Sequence, residues 1–187
     1  MRVIAGVLKG RRLAAPRGDA TRPTSDRVRE AVFGILGDVS GARVLDSFAG
    51  SGAMGIEALS RGAEGALFVE RRRAAVDVIR RNVTELGLAD RAQLFAGPVA
   101  RSGAVLVDEG PFDLVFADPP YDFIVSGRLD VELRAAVKKH RWWSAGATFV
   151  LEHRSKDPPP SLAEALGVEL DETRRYGGTS VTFYRWT

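Results

Sequence analysis

Apolar residues recur along this chain first at one spacing and then at others, and each change of spacing marks an element. Residues 2–8 and 11–15 are short, mostly apolar runs around Lys9 and Gly10, the pattern of a β-hairpin. Beyond a loop with Pro16, Gly18 and Pro23, Thr24 or Ser25 can cap a helix reaching about Leu36. Val28, Val32, Ile35 and Leu36 then share one face at three- and four-residue spacing. Gly37 and Gly41 end that helix.

From Ala42 onward strands and helices alternate. Residues 43–47, 66–70, 93–96, 112–117 and 147–153 read as strands, and residues 51–61, 72–86, 99–107 and 129–139 as helices. Pro158, Pro159 and Pro160 mark a loop. Residues 169–176 and 180–186, joined at Gly177 and Gly178, read as an antiparallel hairpin. Such alternation predicts an α/β fold with a mostly parallel sheet covered by helices. A length of 187 residues suits one compact domain, with residues 1–40 as an N-terminal extension and residues 41–187 as the core.

Composition narrows the class. No apolar run approaches the ~20 residues of a membrane span, and the first residues lack the apolar stretch of a secretory signal. A cytoplasmic protein is expected. With no cysteine, a disulfide framework, a thiolate zinc site and a cysteine nucleophile are excluded. His140 and His153 are the only histidines, too few for a metal site, and both read as structural, as Trp142 and Trp143 read as packing residues. The net charge of +3 is unevenly spread. Residues 1–30 hold eight Lys and Arg against three acids, a net +5 that leaves −2 for the rest. Arg2, Lys9, Arg11, Arg12, Arg17 and Arg22 thus form a basic arm suited to a phosphate backbone, where cationic side chains displace condensed counterions.

The run from Val44 to Gly55 passes from a strand through small residues into a helix. Gly50, Gly52 and Gly55 spell GxGxxG, which alone would suggest a dinucleotide site. Asp46 argues otherwise, because a carboxylate at the strand end repels pyrophosphate and suits a cationic ligand. S-adenosylmethionine, with its sulfonium, ammonium and carboxylate, fits Asp46 and the turn of Phe48, Ala49, Gly50, Ser51 and Gly52. Glu70 ends the next strand, 18 residues after Gly52, where an acid can accept from both ribose hydroxyls, and Arg71 beside it is a further candidate for the cofactor site. Pairing of Glu70 with Arg71, Arg72 or Arg73, and a turn-forming role for Asp46, are the plainer alternatives.

Asp118-Pro119-Pro120-Tyr121 follows a strongly apolar strand and so also falls at a strand's carboxyl end. Two consecutive prolines fix φ and constrain the residues before them, which aims the carbonyls in preset directions. An exocyclic base amine is a poor nucleophile because its lone pair is delocalised into the ring. Hydrogen bonds to Asp118 and the Pro119 carbonyl would turn that lone pair toward a methyl donor, so catalysis is mainly positioning. Tyr121 would stack the base, worth roughly 1–3 kcal/mol.

These segments, with Thr21 to Glu30 (TRPTSDRVRE) and the closing Tyr176-Gly177-Gly178-Thr179 to Tyr184, resemble the RsmD family of bacterial methyltransferases over nearly the whole chain. The resemblance implies a Rossmann-like class I fold, a seven-stranded mostly parallel sheet with an antiparallel last strand. It also implies S-adenosylmethionine as cofactor, N2 of a guanine in 16S rRNA as target, an assembling small ribosomal subunit as substrate, and RNA contact by the N-terminal hairpin. A monomer without metal is expected. Where such enzymes often place an acid or amide to meet the cofactor's adenine, this chain has Phe95-Ala96-Gly97-Pro98-Val99, so the backbone at Gly97 is the candidate. The alternatives are a DNA adenine-N6 or cytosine-N4 methyltransferase, which would need an added recognition region, a catalytically silent RNA-binding assembly protein, and a nicotinamide oxidoreductase.

Overall fold

The computed structural model describes residues 1–16, 25–137 and 141–186. Helix α1 spans Asp26–Leu36. It is followed by β1 (Arg43–Ser47), α2 (Ala53–Ser60), β2 (Gly65–Glu70), α3 (Arg73–Glu85), β3 (Ala92–Ala96), α4 (Gly103–Glu109) and β4 (Phe112–Ala117). Next come α5 (Tyr121–Val125), α6 (Arg128–Val137), β5 (Trp143–Arg154), α7 (Ala163–Leu166), β6 (Val168–Tyr176) and β7 (Thr179–Trp186). The seven strands form one sheet in the order β3-β2-β1-β4-β5-β7-β6, with β7 antiparallel to both of its neighbours.

The inner parallel strands β1, β2 and β4 are buried on both faces because helices cover both, while the edge strand β3 is part-exposed. Side chains alternate accordingly. Val44, Phe68, Leu114, Phe116, Val150 and Val181 face α1 and α2, while Leu45, Leu67, Val115, Phe149 and Leu151 face the core that includes residues of α6 and α7. Ser25 caps α1 by accepting from the Val28 N–H at 3.2 Å, and Gly37 closes the helix at φ 72°. Trp142 is buried, and Trp143 stacks on Trp186 at 5.0 Å, so both pack as expected. His153 is buried. It meets the Arg154 carbonyl at 3.0 Å and Thr182 Oγ1 at 2.8 Å, and burial holds its pKa below the usual imidazole value. His140 lies outside the described residues.

At the N-terminus the expected hairpin is present but short: one bridge, Arg2 with Arg12, with the Val3, Gly10 and Leu13 N–H groups donating to the Arg11, Val3 and Met1 carbonyls. The physical reason lies on α2. Glu57, fully buried, accepts the N–H groups of Ile4 at 2.7 Å and Ala5 at 3.0 Å, and Ser60 receives Val7 through its carbonyl and Leu8 through its Oγ. Those backbone donors are therefore spent on a helix instead of on a partner strand. Gly6, at φ +79°, rests on α2 so closely that a Cβ would come within 1.8 Å of the Ser60 carbonyl oxygen. Two short helices, α5 and α7, are not legible in the apolar spacing, since neither completes two turns.

Candidate active site

Asp46, Glu70 and Asp118 sit at or just beyond the carboxyl ends of β1, β2 and β4, the edge where open α/β sheets bind ligands. Asp46 pairs in register with Phe68 and Phe116 and is only 4% exposed. Its carboxylate accepts the Gly55 N–H at 2.9 Å. A side chain at Gly55 would bring its Cβ within 2.4 Å of the Phe68 ring, so glycine is what lets α2 lie close enough for this bond. Burial pushes the Asp46 pKa up to about 7; the Gly55 bond opposes that rise and the Glu70 charge adds to it. A buried acid held this high gains from any cation brought beside it.

The turn after β1 puts Phe48 in the left-handed region at φ 58°, a conformation costing a non-glycine residue roughly 1–2 kcal/mol. Its ring is held edge-on by Phe123 at 6.1 Å. The turn is tied down by Ala49 N–H to the Val69 carbonyl and Gly52 N–H to the Ala49 carbonyl. Glu70, 4% exposed, accepts from the Gly50 N–H at 2.8 Å and from Arg72 N–H at 2.8 Å. The plainer pairing with Arg72 is thus present, and the same carboxylate also fastens the turn. Arg71 is exposed, with its guanidinium 4.8 Å from the Phe123 ring. The Gly97 N–H donates to the Glu70 carbonyl at 3.0 Å, so it is already engaged.

At the end of β4, Asp118 is half-buried, Pro119 buried and Pro120 exposed, and Pro120 caps the short helix α5. Tyr121 Oη lies 3.3 Å from Thr179 Oγ1, and the Arg154 guanidinium covers one face of its ring at 5.0 Å. That face of Tyr121 is closed to stacking unless Arg154 moves. Asp46, Asp118 and Glu152 line one cavity with Val28, Val32, Met54, Phe116, Ala117, Val150 and Val181. Its volume is about 20 Å³, enough for a group the size of a water or an amine and far too small for a purine ring. A larger cavity of about 180 Å³ lies at the opposite edge of the sheet, near Arg43, Gly65 and Phe112, away from these acids. Among the described residues no group of His, Asp and Glu could hold a metal ion, and no helix is long and apolar enough to cross a membrane.

The basic arm is not a loose tail. Besides its bonds to α2, its Ala14 is gripped by the buried Asn82 of α3, which accepts the Ala14 N–H at 2.8 Å and donates to the Ala14 carbonyl at 3.1 Å. The same amide nitrogen donates to the Ser51 carbonyl at 3.0 Å, so one side chain joins the arm to the glycine turn. Arg2, Lys9, Arg11 and Arg12 are exposed. Arg2 is 3.7 Å from Asp26, and Arg11 donates to the Glu85 carbonyl at 3.0 Å. Arg17 and Arg22 lie outside the described residues. Arg29, counted in the arm's charge, is fully buried and bonded to Asp26 and the Arg2 carbonyl. Sequence reasoning missed Glu57 as the anchor of the arm, Asn82 as its link to the turn, and Glu152 as a cavity wall. Of these Glu152 carried a signal, an acid one step past the apolar run of β5, and so did Glu57, which belongs with Gly55 and Ala58 to the segment that carries the family resemblance.

A family model described as "Conserved hypothetical protein 95" matches residues 1–185. YlbH of Bacillus subtilis, whose name marks it as a candidate rRNA methyltransferase, is 38% identical over 192 residues, covering 99% of this chain and 98% of its own. Ribosomal RNA small subunit methyltransferase D of Escherichia coli is 42% identical over 125 residues, covering 65% of this chain and 60% of its own. A solved structure of a hypothetical protein from Thermus thermophilus superposes with a TM-score of 0.79 at 32% identity, covering 98% of each chain. With the family matched from end to end and the motifs gathered at one edge of the sheet, the chain belongs to this family, the RsmD family its motifs resemble.

Proposed function

We propose that this protein methylates the exocyclic N2 amine of a guanine in 16S rRNA of the small ribosomal subunit, using S-adenosylmethionine. The observation that carries the reading is that Asp46 and Asp118, from adjacent parallel strands, line one amine-sized cavity beside a proline-stiffened corner. Relatives named as small-subunit rRNA methyltransferases support the RNA class.

The residues present fit the cofactor. Asp46 is a buried acid suited to an ammonium, space above Gly50 is open with no atom within 4 Å of an added Cβ, and Glu70 stands one strand over for the ribose. A carboxylate has about four acceptor sites, so Glu70, which accepts from Gly50 once and from Arg72 twice, has room for one ribose hydroxyl. When bound, the cofactor would supply an electrophilic methyl group. Asp118 and the Pro119 carbonyl accept the two N–H groups of the target amine and turn its lone pair toward that methyl. The amine's surplus proton passes to the Asp118 carboxylate and on to solvent. Tyr121 stacks the ring, and the exposed side chains of Arg2, Lys9 and Arg12 with residues Arg17 and Arg22 hold the phosphate backbone. The protein works as a cytoplasmic monomer on an assembling subunit, residues 1–40 serving as the RNA-contacting extension of a single catalytic domain.

Calorimetry with S-adenosylmethionine and with NAD, followed by labelled methyl transfer to small subunits from a strain lacking the enzyme, tests the proposal. Expected are binding of the first ligand alone, transfer by the wild type, and loss of transfer in Asp118→Ala with cofactor affinity kept. Binding of NAD alone, or full turnover by Asp118→Ala, overturns it.

A further inference from the structure

Three acids reach the amine-sized cavity, and the proposed chemistry uses only two of them. The third, Glu152, has a defined relation to Asp118. Strands β4 and β5 run parallel with Ala117 opposite Leu151, so Asp118 and Glu152 are each one step beyond that pair and side by side at about 4.8 Å strand spacing. The alternation that turns Ala117 and Leu151 to one face of the sheet turns Asp118 and Glu152 to the other, with Phe116, Val150 and Val181. Glu152 is half-buried, and its neighbour across β7 is the apolar Val181. The remaining cavity wall is apolar apart from Asp46 and Asp118.

Base chemistry supplies a use. The amines of adenine and cytosine each lie beside an unprotonated ring nitrogen, an acceptor. The amine of guanine lies beside N1–H, a donor. A corner that holds any exocyclic amine cannot tell these bases apart, whereas a carboxylate beside that corner accepts from guanine N1–H and repels the lone pair of the others.

We infer that Glu152 is the residue that selects guanine, accepting its N1–H while Asp118 and Pro119 hold the N2 amine. The inference rests on the reading of the cavity as the amine site and adds the discrimination that Asp-Pro-Pro-Tyr alone does not provide. Selection follows from setting a carboxylate against a lone pair in the wrong complex, and such mispairing costs roughly 10- to 100-fold. Gln at this position can turn its oxygen to N1–H or its nitrogen to a bare ring nitrogen, and so tolerates both.

The test uses small subunits reconstituted on rRNA with guanine or 2,6-diaminopurine ligated in at the methylated position. Diaminopurine keeps the 2-amine but has an acceptor at N1. Its altered group at position 6 is the same for every enzyme variant, so a change in the guanine-to-diaminopurine ratio isolates N1. Wild-type protein should favour guanine roughly 10- to 100-fold in kcat/KM. In Glu152→Gln that ratio should fall at least tenfold, with guanine turnover reduced only about 3- to 10-fold and S-adenosylmethionine affinity unchanged. RNA affinity measured with S-adenosylhomocysteine present gives the same ratio for a variant that binds without turning over, and Glu152→Ala should lose selectivity as well. A ratio unchanged in both variants overturns the role of Glu152. A wild type that methylates neither substrate overturns the amine-site reading itself.

Discussion

Asn82→Ala is the perturbation whose size follows most directly from the structure. The side chain is 1% exposed and makes three hydrogen bonds, two with Ala14 of the arm and one with the Ser51 carbonyl of the glycine turn. Neutral hydrogen bonds contribute about 1 kcal/mol net each, and an acceptor left buried costs about 1–3 kcal/mol. Ser51 is buried and bears the full loss, while Ala14 is half-exposed and can be rehydrated. The sum is about 2–3 kcal/mol. For a chain of this size that lowers Tm by about 5–10 °C, measured by calorimetry and by urea unfolding. The loss should be local as well as global. Amide exchange at Val3, Leu13 and Ala14 should accelerate, and affinity for both cofactor and RNA should fall together because one side chain serves both segments. A destabilisation below 1 kcal/mol, or one that leaves arm exchange unchanged, would refute the coupling of arm to turn.

Asp46 has a folded pKa of about 7 against an ordinary value of 3.8, so its ionisation opposes folding. That penalty is absent below pH 4, grows through the interval to about pH 7 and is constant above it, reaching at most about 4 kcal/mol. Asp46→Asn should therefore gain stability relative to wild type as pH rises from 4 to 7, and pH-resolved unfolding reads this. Wild-type cofactor affinity should climb as pH rises through 7, with proton release when the ammonium binds, whereas the Asn variant should bind weakly at every pH. Replacing Arg2, Lys9 and Arg12 by Gln should flatten the salt dependence of RNA binding by as much as about two to three in log–log slope, while leaving cofactor affinity alone. Gly55→Ala should cost about 1–3 kcal/mol by overpacking against Phe68 and should loosen the bond to Asp46; unaltered stability would show that α2 has room to retreat.

Much of this architecture was legible because buried parallel strands read as continuous apolar runs. The bounds of β1 and β4 follow the sequence to the residue, and the acids that end β1 and β2 and follow β4 are visible as the point where each run stops. The arm was less legible for a physical reason. Hairpin spacing reports that two segments can pair, but it does not report that Glu57 and Ser60 on a distant helix offer stronger acceptors to the same N–H groups. Asn82 reads as an ordinary polar position on an amphipathic helix, and Glu57 as the lone acid of an otherwise apolar one, since burial of a polar side chain depends on which backbone it satisfies. The helix at Tyr121 was hidden behind Pro120, whose ring suits a helix start but gives no spacing to read. Glu152 was inconspicuous because only strand register sets it beside Asp118.

The central claim is that two strand tips, carrying Asp46 and Asp118, present a methyl donor in line with a guanine amine. Nucleoside mass spectrometry of small-subunit RNA from a deletion strain, complemented in turn with wild type and Asp118→Ala, tests it most directly. N2-methylguanosine should fall by one residue per subunit on deletion, return with the wild type and not return with Asp118→Ala. An unchanged modification profile on deletion, or full restoration by Asp118→Ala, would contradict it.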